Sequence, residues 1–408
     1  MATATFTRIP LEEYANLLGE GEITELRELA KPLRGRSIEM INSTAVGGGV
    51  AEILTRLLPL AEELGMNMKW DVMTGGEDFF EVTKGFHNAL HGAPYHATAR
   101  DFEIYTAYNR SNETRLPLDA EFMVIHDPQP AALIKARRKN GNHWVWRCHI
   151  DLSHPNQTVW EFLEQFVARY DGSMFSSPEF ARKLPIPQYL FYPAIDPLSE
   201  KNCELEPEFI AGVLARYNID PHRSILTQIS RFDRLKDPLG VIRAYRIVKR
   251  YFDVQLVLAG GSASDDPEGS VVLKEVLREA QGDPDIKVLE LPAWAPLEVN
   301  ALQRASTIVI QKSLREGFGL TVSEALWKKK PVVASAVGGI PVQVIHKHTG
   351  LLAHSVEGTA YQIRFLLSHP EIAAKLAESG HQHVKENFLI TQKLKRYLTL
   401  FLTVARGK

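Results

Sequence analysis

Eleven residues, Arg315-Glu316-Gly317-Phe318-Gly319-Leu320-Thr321-Val322-Ser323-Glu324-Ala325, carry the clearest chemistry in this sequence. Glu316 and Glu324 stand with seven residues between them around a Gly-Phe-Gly turn. The apolar run 306–310 ahead of them reads as a buried strand, and residues 322–327 read as a helix. A strand, a glycine turn and a helix N-terminus together offer backbone N–H groups and a positive dipole end to a phosphate. Flanking carboxylates accept hydrogen bonds from sugar hydroxyls, so the layout suits a sugar nucleotide.

Other groups stand where they could complete such a site. Ser230-Arg231-Phe232-Asp233-Arg234-Leu235-Lys236-Asp237-Pro238 sets Arg231 and Lys236 in a loop just before a helix. The loop is either a solvated basic turn or a pair of fixed cations that neutralises a departing diphosphate. His126-Asp127-Pro128-Gln129-Pro130 and Arg147-Cys148-His149-Ile150-Asp151 both close apolar strands, so their histidines are either structural hydrogen-bonding groups or sugar contacts. Gly47-Gly48-Gly49 lies between a strand and a helix. Glu52 stands where a dinucleotide fingerprint needs its third glycine, and no Gly-Lys-Ser/Thr triplet exists. The triplet is either a tight turn or a loop whose backbone comes close to a sugar or diphosphate. Val337-Gly338-Gly339-Ile340-Pro341 makes a second glycine turn at the same end of the sheet. Asp283-Pro284-Asp285 has the spacing of a metal-binding Asp-x-Asp but lies in a polar turn with no histidine nearby. The remaining histidines lack metal-ligand spacing, and a metal-independent reaction is expected.

The elements that must position these groups alternate between strand and helix. In the first half, strands are expected at 37–42, 68–73, 122–126, 144–149 and 188–191, with a helix over 50–64 that Pro59 kinks or divides. Residues 192–199 form a proline-rich break. The second half repeats the alternation, with strands at 225–229, 254–259, 286–289, 307–310, 332–334 and 350–352. This pattern predicts two α/β domains with parallel sheets, whose ligands bind at the carboxyl ends of the strands. The expected boundaries are 1–193, 194–375 and 376–408. The last segment is a helical stretch over 373–404 that returns to the first domain.

Length and composition agree. The 408 residues suit two domains; 45% are hydrophobic and 24% charged, as in an ordinary globular protein. A formal net charge of −2 makes no electrostatic case for nucleic acid or acidic lipid. Cys148 and Cys203 are too few for a disulfide framework, which points to a reducing, cytoplasmic setting. No apolar run reaches the roughly 18 residues of a membrane span, and residues 1–10 lack a signal-peptide core. A homodimer is left open.

Together these pieces resemble the retaining glycosyltransferases of family 4, which share the GT-B fold, two Rossmann-like domains with parallel sheets facing an interdomain cleft. The marks of that family are a glutamate pair spaced as Glu316 and Glu324 and a cation pair spaced as Arg231 and Lys236. Within it, Asn42-Ser43-Thr44 with residues 47–54, 79–84 with 86–90, 126–130, 146–153 and 195–202 are similar to the glycosyl-transferring trehalose synthases. Retaining trehalose phosphorylases share several of these motifs on longer chains. No lysine stands in the first glycine loop, and Ser335 occupies a position where related sequences can hold a larger cation.

The resemblance implies reversible formation of trehalose from UDP-, ADP- or GDP-glucose and glucose, without metal or cofactor. Glu316 would bind the donor glucose, Glu324 the ribose, and Arg231 and Lys236 the diphosphate with the N–H groups of Phe318, Gly319 and Leu320. His149 would contact the glucose, and Gly48 and Gly49 would let the first domain approach. The acceptor glucose would lie near residues 77–87, with Lys84, His87, His126 and Asp127 as candidate contacts. The competing readings are a trehalose phosphorylase, a sugar-nucleotide epimerase, and a non-catalytic sensor of the same architecture.

Overall fold

The computed structural model describes residues 8–44, 49–137, 141–261, 267–292 and 295–406. Its contacts divide the chain into one unit formed by Met1–Pro193 with Ile390–Lys408, and a second formed by Ala194–Leu389.

Each unit is built on a six-stranded parallel sheet. In the first the strands are β1 Ser37–Asn42, β2 Asn67–Val72, β3 Phe122–His126, β4 His143–Arg147, β5 Gly172–Phe175 and β6 Gln188–Leu190, in the order β2-β1-β3-β4-β5-β6. In the second they are β7 Ser224–Ile229, β8 Val254–Gly260, β9 Ile286–Glu290, β10 Ile308–Gln311, β11 Val332–Ser335 and β12 Leu351–Ala353, in the order β12-β11-β10-β7-β8-β9. Both orders reverse direction once, between β1 and β3 and between β7 and β10. The register sets Ile41 beside Ile125 at the first reversal, and Val309 beside Thr227 at the second. At such a point the two crossover connections leave toward opposite faces, which opens a crevice outside the carboxyl ends of the strands.

The sheets are covered on both faces. Leu226, Leu256 and Leu258 belong to one buried cluster of the second unit, whereas Ile225, Val257 and Ala259 belong to another. Alternate side chains of β7 and β8 thus enter different cores, which explains why apolar residues occur on both faces of these strands. In the first unit the core is aromatic: Phe79, Phe86, Tyr105, Phe162 and Phe166 pack in stacked, tilted and edge-on pairs.

Three expectations are corrected. The helix Gly49–Glu63 runs through Pro59 without being divided. The strand Gly172–Phe175 is an additional one. The single helix expected over 373–404 is two helices, Pro370–Asn387 in the second unit and Ile390–Arg406 in the first, so the last division falls at Leu389 rather than at residue 375. Phe388 and Leu389, both buried, leave the helix because their backbone pairs with Ile195: the Ile195 N–H donates to the Phe388 carbonyl at 2.8 Å. The returning helix docks through Leu394, Tyr397 and Phe401, and the Phe401 ring lies 4.9 Å from that of Phe122. Among the described residues no helix is long and apolar enough to cross a membrane.

Candidate active site

The second unit's candidate residues lie at the reversal between β7 and β10. The loop after β7 carries Arg231 and Lys236, and the loop after β10 carries Glu316. Gln228, a buried polar residue near the end of β7, fastens the two loops: its Nε2 donates to the Lys236 carbonyl at 3.0 Å, and its Oε1 accepts from the Lys312 N–H at 3.0 Å. The Leu314 N–H adds a bond to the Leu235 carbonyl at 2.7 Å.

The loops bring Lys236 and Glu316 into contact. Lys236 Nζ stands 2.6 Å from Glu316 Oε2, with the side chains 18% and 9% exposed. The same oxygen accepts from Ser313 Oγ at 3.0 Å and Gln311 Nε2 at 3.4 Å. Among the described residues Oε1 has no donor, so one face of the carboxylate remains for a ligand. Beside this pair Lys312 Nζ meets Asp237 Oδ2, and Asp237 also caps the helix Pro238–Lys249. Arg231 is placed differently. Its side chain is 60% exposed and pairs with Asp233 at 3.5 Å, so it shares the loop with Lys236 but not the contact with Glu316.

Two glycines set the shape of the acidic loop. Gly319 has φ +81°, caps the helix Leu320–Trp327, and leaves a Cβ position only 3.2 Å from Glu316 Cγ. Gly338, φ +55°, packs so tightly that a Cβ would stand 1.6 Å from the Glu316 carbonyl oxygen. The second glycine turn therefore supports the acidic loop directly, through the Gly339 N–H donating to the Glu316 carbonyl at 3.3 Å. The Phe318 ring is backed by Phe388 at 5.5 Å, and its carbonyl accepts from Gln343. The amides of Phe318, Gly319 and Leu320 lie at the helix start, where no preceding turn supplies acceptors. Glu324 sits in that helix, 4% exposed, with Oε2 accepting from Gln303 Nε2 at 3.1 Å.

In the first unit the reversal joins the ends of β1 and β3. Asn42 closes β1 by donating to the Thr44 carbonyl at 2.8 Å and accepting from Trp70 Nε1 at 2.9 Å. Gly48 lies outside the described residues, and Gly49 opens the helix Gly49–Glu63. His126, at the end of β3, and His149, just beyond β4, bond through Nδ1 and Nε2 at 3.0 Å, with rings nearly parallel. Burial, then the charges of Arg147 and Lys393, push His126 down to about 3; burial, with Arg147, His126 and Lys393, pushes His149 well below its ordinary range. Both imidazoles are therefore neutral at physiological pH, one donating and one accepting.

Asp127, φ +67°, accepts the His149 N–H on Oδ1 at 2.7 Å, so its carboxyl orients the histidine loop. Burial raises its pKa to about 6. Lys84 is exposed on the helix Glu77–Leu90, one turn from the partly buried His87, whose ring lies tilted 4.6 Å from that of His91. The contacts of His126 and Asp127 run instead to Met40, His149 and Trp146.

The Asp-x-Asp turn is occupied by cations of the chain itself. Lys249 meets Asp283 at 2.6 Å and Asp285 at 2.9 Å, and Arg223 meets Asp285 at 2.6 Å. Among the described residues no group of three or more His, Cys, Asp or Glu side chains is placed to hold a metal ion.

The residues missed by sequence reasoning are Gln228, Gln311, Ser313, Gln303 and Lys328. The one signal for the first two was a glutamine at or near the end of an otherwise apolar strand.

Comparison with known proteins extends this picture. Residues 40–182 match the family described as trehalose synthase, N-terminal domain, and residues 214–383 match glycosyl transferases group 1. A trehalose synthase of Pyrococcus horikoshii is 44% identical over 96% of this chain and 95% of its own. A trehalose phosphorylase of Pleurotus pulmonarius is 28% identical over 98% of this chain but 61% of its own. Among solved structures, an α,α-trehalose 6-phosphate synthase from Burkholderia multivorans superposes with a TM-score of 0.71 at 17% identity, covering 91% of this chain and 99% of that one. The two parallel sheets and these matches identify a GT-B glycosyltransferase, and the chain belongs to the trehalose synthase family.

Proposed function

We propose that this protein is a retaining glucosyltransferase that forms trehalose reversibly from a nucleoside-diphosphate glucose and free glucose. The observation that carries the reading is the Lys236–Glu316 contact at the carboxyl ends of β7 and β10, in a chain of the trehalose synthase family. Lys236 is the cation that meets the donor diphosphate, assisted by Arg231 and by the amides of Phe318, Gly319 and Leu320. On arrival of the anion Lys236 exchanges its carboxylate partner for phosphate, and Glu316 is released to accept hydrogen bonds from glucose hydroxyls. Glu324 takes the ribose hydroxyls, and the neutral His149 bonds a sugar hydroxyl. Gly48 and Gly49 allow close backbone approach, and Lys84, His87, His126 and Asp127 are the acceptor-side candidates.

Retention of configuration follows a same-face substitution. The bond from the anomeric carbon to the phosphate oxygen breaks, the acceptor oxygen attacks from the same side, and the departing phosphate takes the acceptor's proton. Fixed cations and amides stabilise the leaving charge, so no metal is required. The two free cysteines, Cys148 and Cys203, support a cytoplasmic setting.

The test is a matrix of UDP-, ADP- and GDP-glucose against glucose, with and without EDTA, run in both directions with product identification. Trehalose formed from one of these donors and glucose, at a rate indifferent to EDTA, is expected. Glucose 1-phosphate released from trehalose and inorganic phosphate would replace the reading with a phosphorylase. Donor rearrangement without acceptor would replace it with an epimerase, and binding without turnover with a sensor.

A further inference from the structure

Glu324 is held from behind by a buried polar chain that the proposed reaction does not use. Gln303, 0% exposed, donates Nε2 to Glu324 Oε2, and its Oε1 accepts from Lys328 Nζ at 2.8 Å. The same ammonium donates to Asn202 Oδ1 at 2.9 Å and to the Glu324 carbonyl at 3.2 Å. An ammonium has three N–H donors and no acceptor, so three acceptors saturate it. A donor-only neighbour also forces Gln303 to present its carbonyl to Lys328 and its amide NH2 to Glu324. Asn202 is fixed in the same way, since its Nδ2 donates to the Asp196 carbonyl at 2.9 Å and to Ser199 Oγ at 3.1 Å. Arg304 holds the Asn202 and Cys203 carbonyls at 3.2 Å and 2.9 Å. The stretch 195–202 thereby has a role: it supplies the far anchor of the chain that ends on Glu324.

We propose that Lys328 and Gln303 are positioning residues for the donor nucleotide: Lys328, braced on Asn202, fixes the Gln303 amide, and that amide holds the Glu324 carboxylate in one orientation. The inference rests on the reading that Glu324 binds the donor ribose.

Burial pulls the Lys328 ammonium down to about 7, against the Glu324 charge that raises it; Arg304 and Lys201 lower it and Cys203 raises it. These are the charged and titratable groups that face it. Loss of one proton near neutrality leaves three acceptors sharing two N–H donors. Donor affinity should therefore weaken as pH rises through about 7.

The experiment measures kcat and KM for the accepted donor among UDP-, ADP- and GDP-glucose, from pH 6 to 8.5, in wild type, Lys328→Met, Lys328→Arg, Gln303→Leu, the Lys328→Met/Gln303→Leu double variant and Glu324→Gln. Lys328→Met and Gln303→Leu should each raise donor KM about ten-fold with kcat little changed, as expected for one lost buried hydrogen bond. The double variant should add little to either single one, because the two act in series. Lys328→Arg should recover part of the affinity, and Lys328→Met should lose the rise in KM above pH 7. An unchanged donor KM in both Lys328→Met and Gln303→Leu would overturn the inference. So would a fall in kcat at unchanged KM in either single variant. If Glu324→Gln raises donor KM and the Lys328 and Gln303 variants do not, only this inference fails; if Glu324→Gln leaves donor KM unchanged, the ribose reading fails with it.

Discussion

At the sheet reversal of the second unit, Lys236 and Glu316 meet as opposite charges at 2.6 Å; at the reversal of the first, His126 and His149 meet as neutral rings at 3.0 Å. The two units share a strand order that reverses once, yet the second sets a charged pair at its reversal and the first a neutral one. A lysine paired with a carboxylate keeps a counter-charge when an anionic ligand takes the carboxylate's place, and the released carboxylate must then be satisfied by hydrogen bonds. Neutral imidazoles have no such attraction for phosphate, but their N–H and lone pair suit hydroxyl groups. Under the proposed function, this contrast gives the phosphate to the cation of the second unit and leaves the neutral rings of the first to a sugar hydroxyl.

Removing charge in the second unit should have the largest effects. Glu316→Gln is expected to lower kcat by about 10²-fold or more while nucleotide diphosphate affinity changes little, as in the loss of a contact made to the reacting group. Near-normal turnover would remove Glu316 from the reaction. Lys236→Ala should cost about 10²-fold in kcat, and Arg231→Ala less, because Arg231 is exposed and paired with Asp233. Equal losses in steady-state assays would mean that the two cations act together. In the first unit, His149→Ala should cost only about ten-fold in kcat/KM, the worth of one hydrogen bond, and should leave nucleotide affinity unchanged by calorimetry. A loss as large as that of Glu316→Gln would erase the contrast.

The smallest effect concerns stability. The buried imidazoles stay neutral down to about pH 3 for His126, whereas an unfolded histidine protonates near 6.5. Between those values the unfolded chain binds more protons, so the His126–His149 pair costs stability as pH falls below 6.5. Asp127, pushed up to about 6, opposes this with one carboxyl against two imidazoles. His126→Gln should therefore lose Tm less steeply between pH 6.5 and 4, as read by scanning calorimetry.

The same contrast explains what the sequence could reveal. All six strands of the second unit were legible, because their apolar runs are bounded by turns. The strand Gly172–Phe175 of the first was not: it is four residues long, opens on glycine and carries a serine. The resemblance implied one donor site for Glu316, Arg231 and Lys236; the structure pairs Lys236 with Glu316 and sets Arg231 apart from that contact. Gln228, Gln303 and Lys328 escaped notice because a buried amide or amine has no sequence signal until its partners are known. Those partners lie up to 126 positions away in the chain, as Lys328 does from Asn202. The break at Phe388 also depends on a distant partner, Ile195, so helical periodicity alone carried the expected helix straight through it.

That backbone pairing of Ile195 with Leu389 has an engineering consequence. The segment Ala194–Leu389 begins and ends on neighbouring residues, so it is topologically an insertion within the first unit. Excised as a stand-alone gene product, it would keep both sheet and core with its termini side by side. The remainder would need a short artificial linker from residue 193 to residue 390 to become a continuous chain. The two units could thus be produced and assayed apart, by two cuts and one splice.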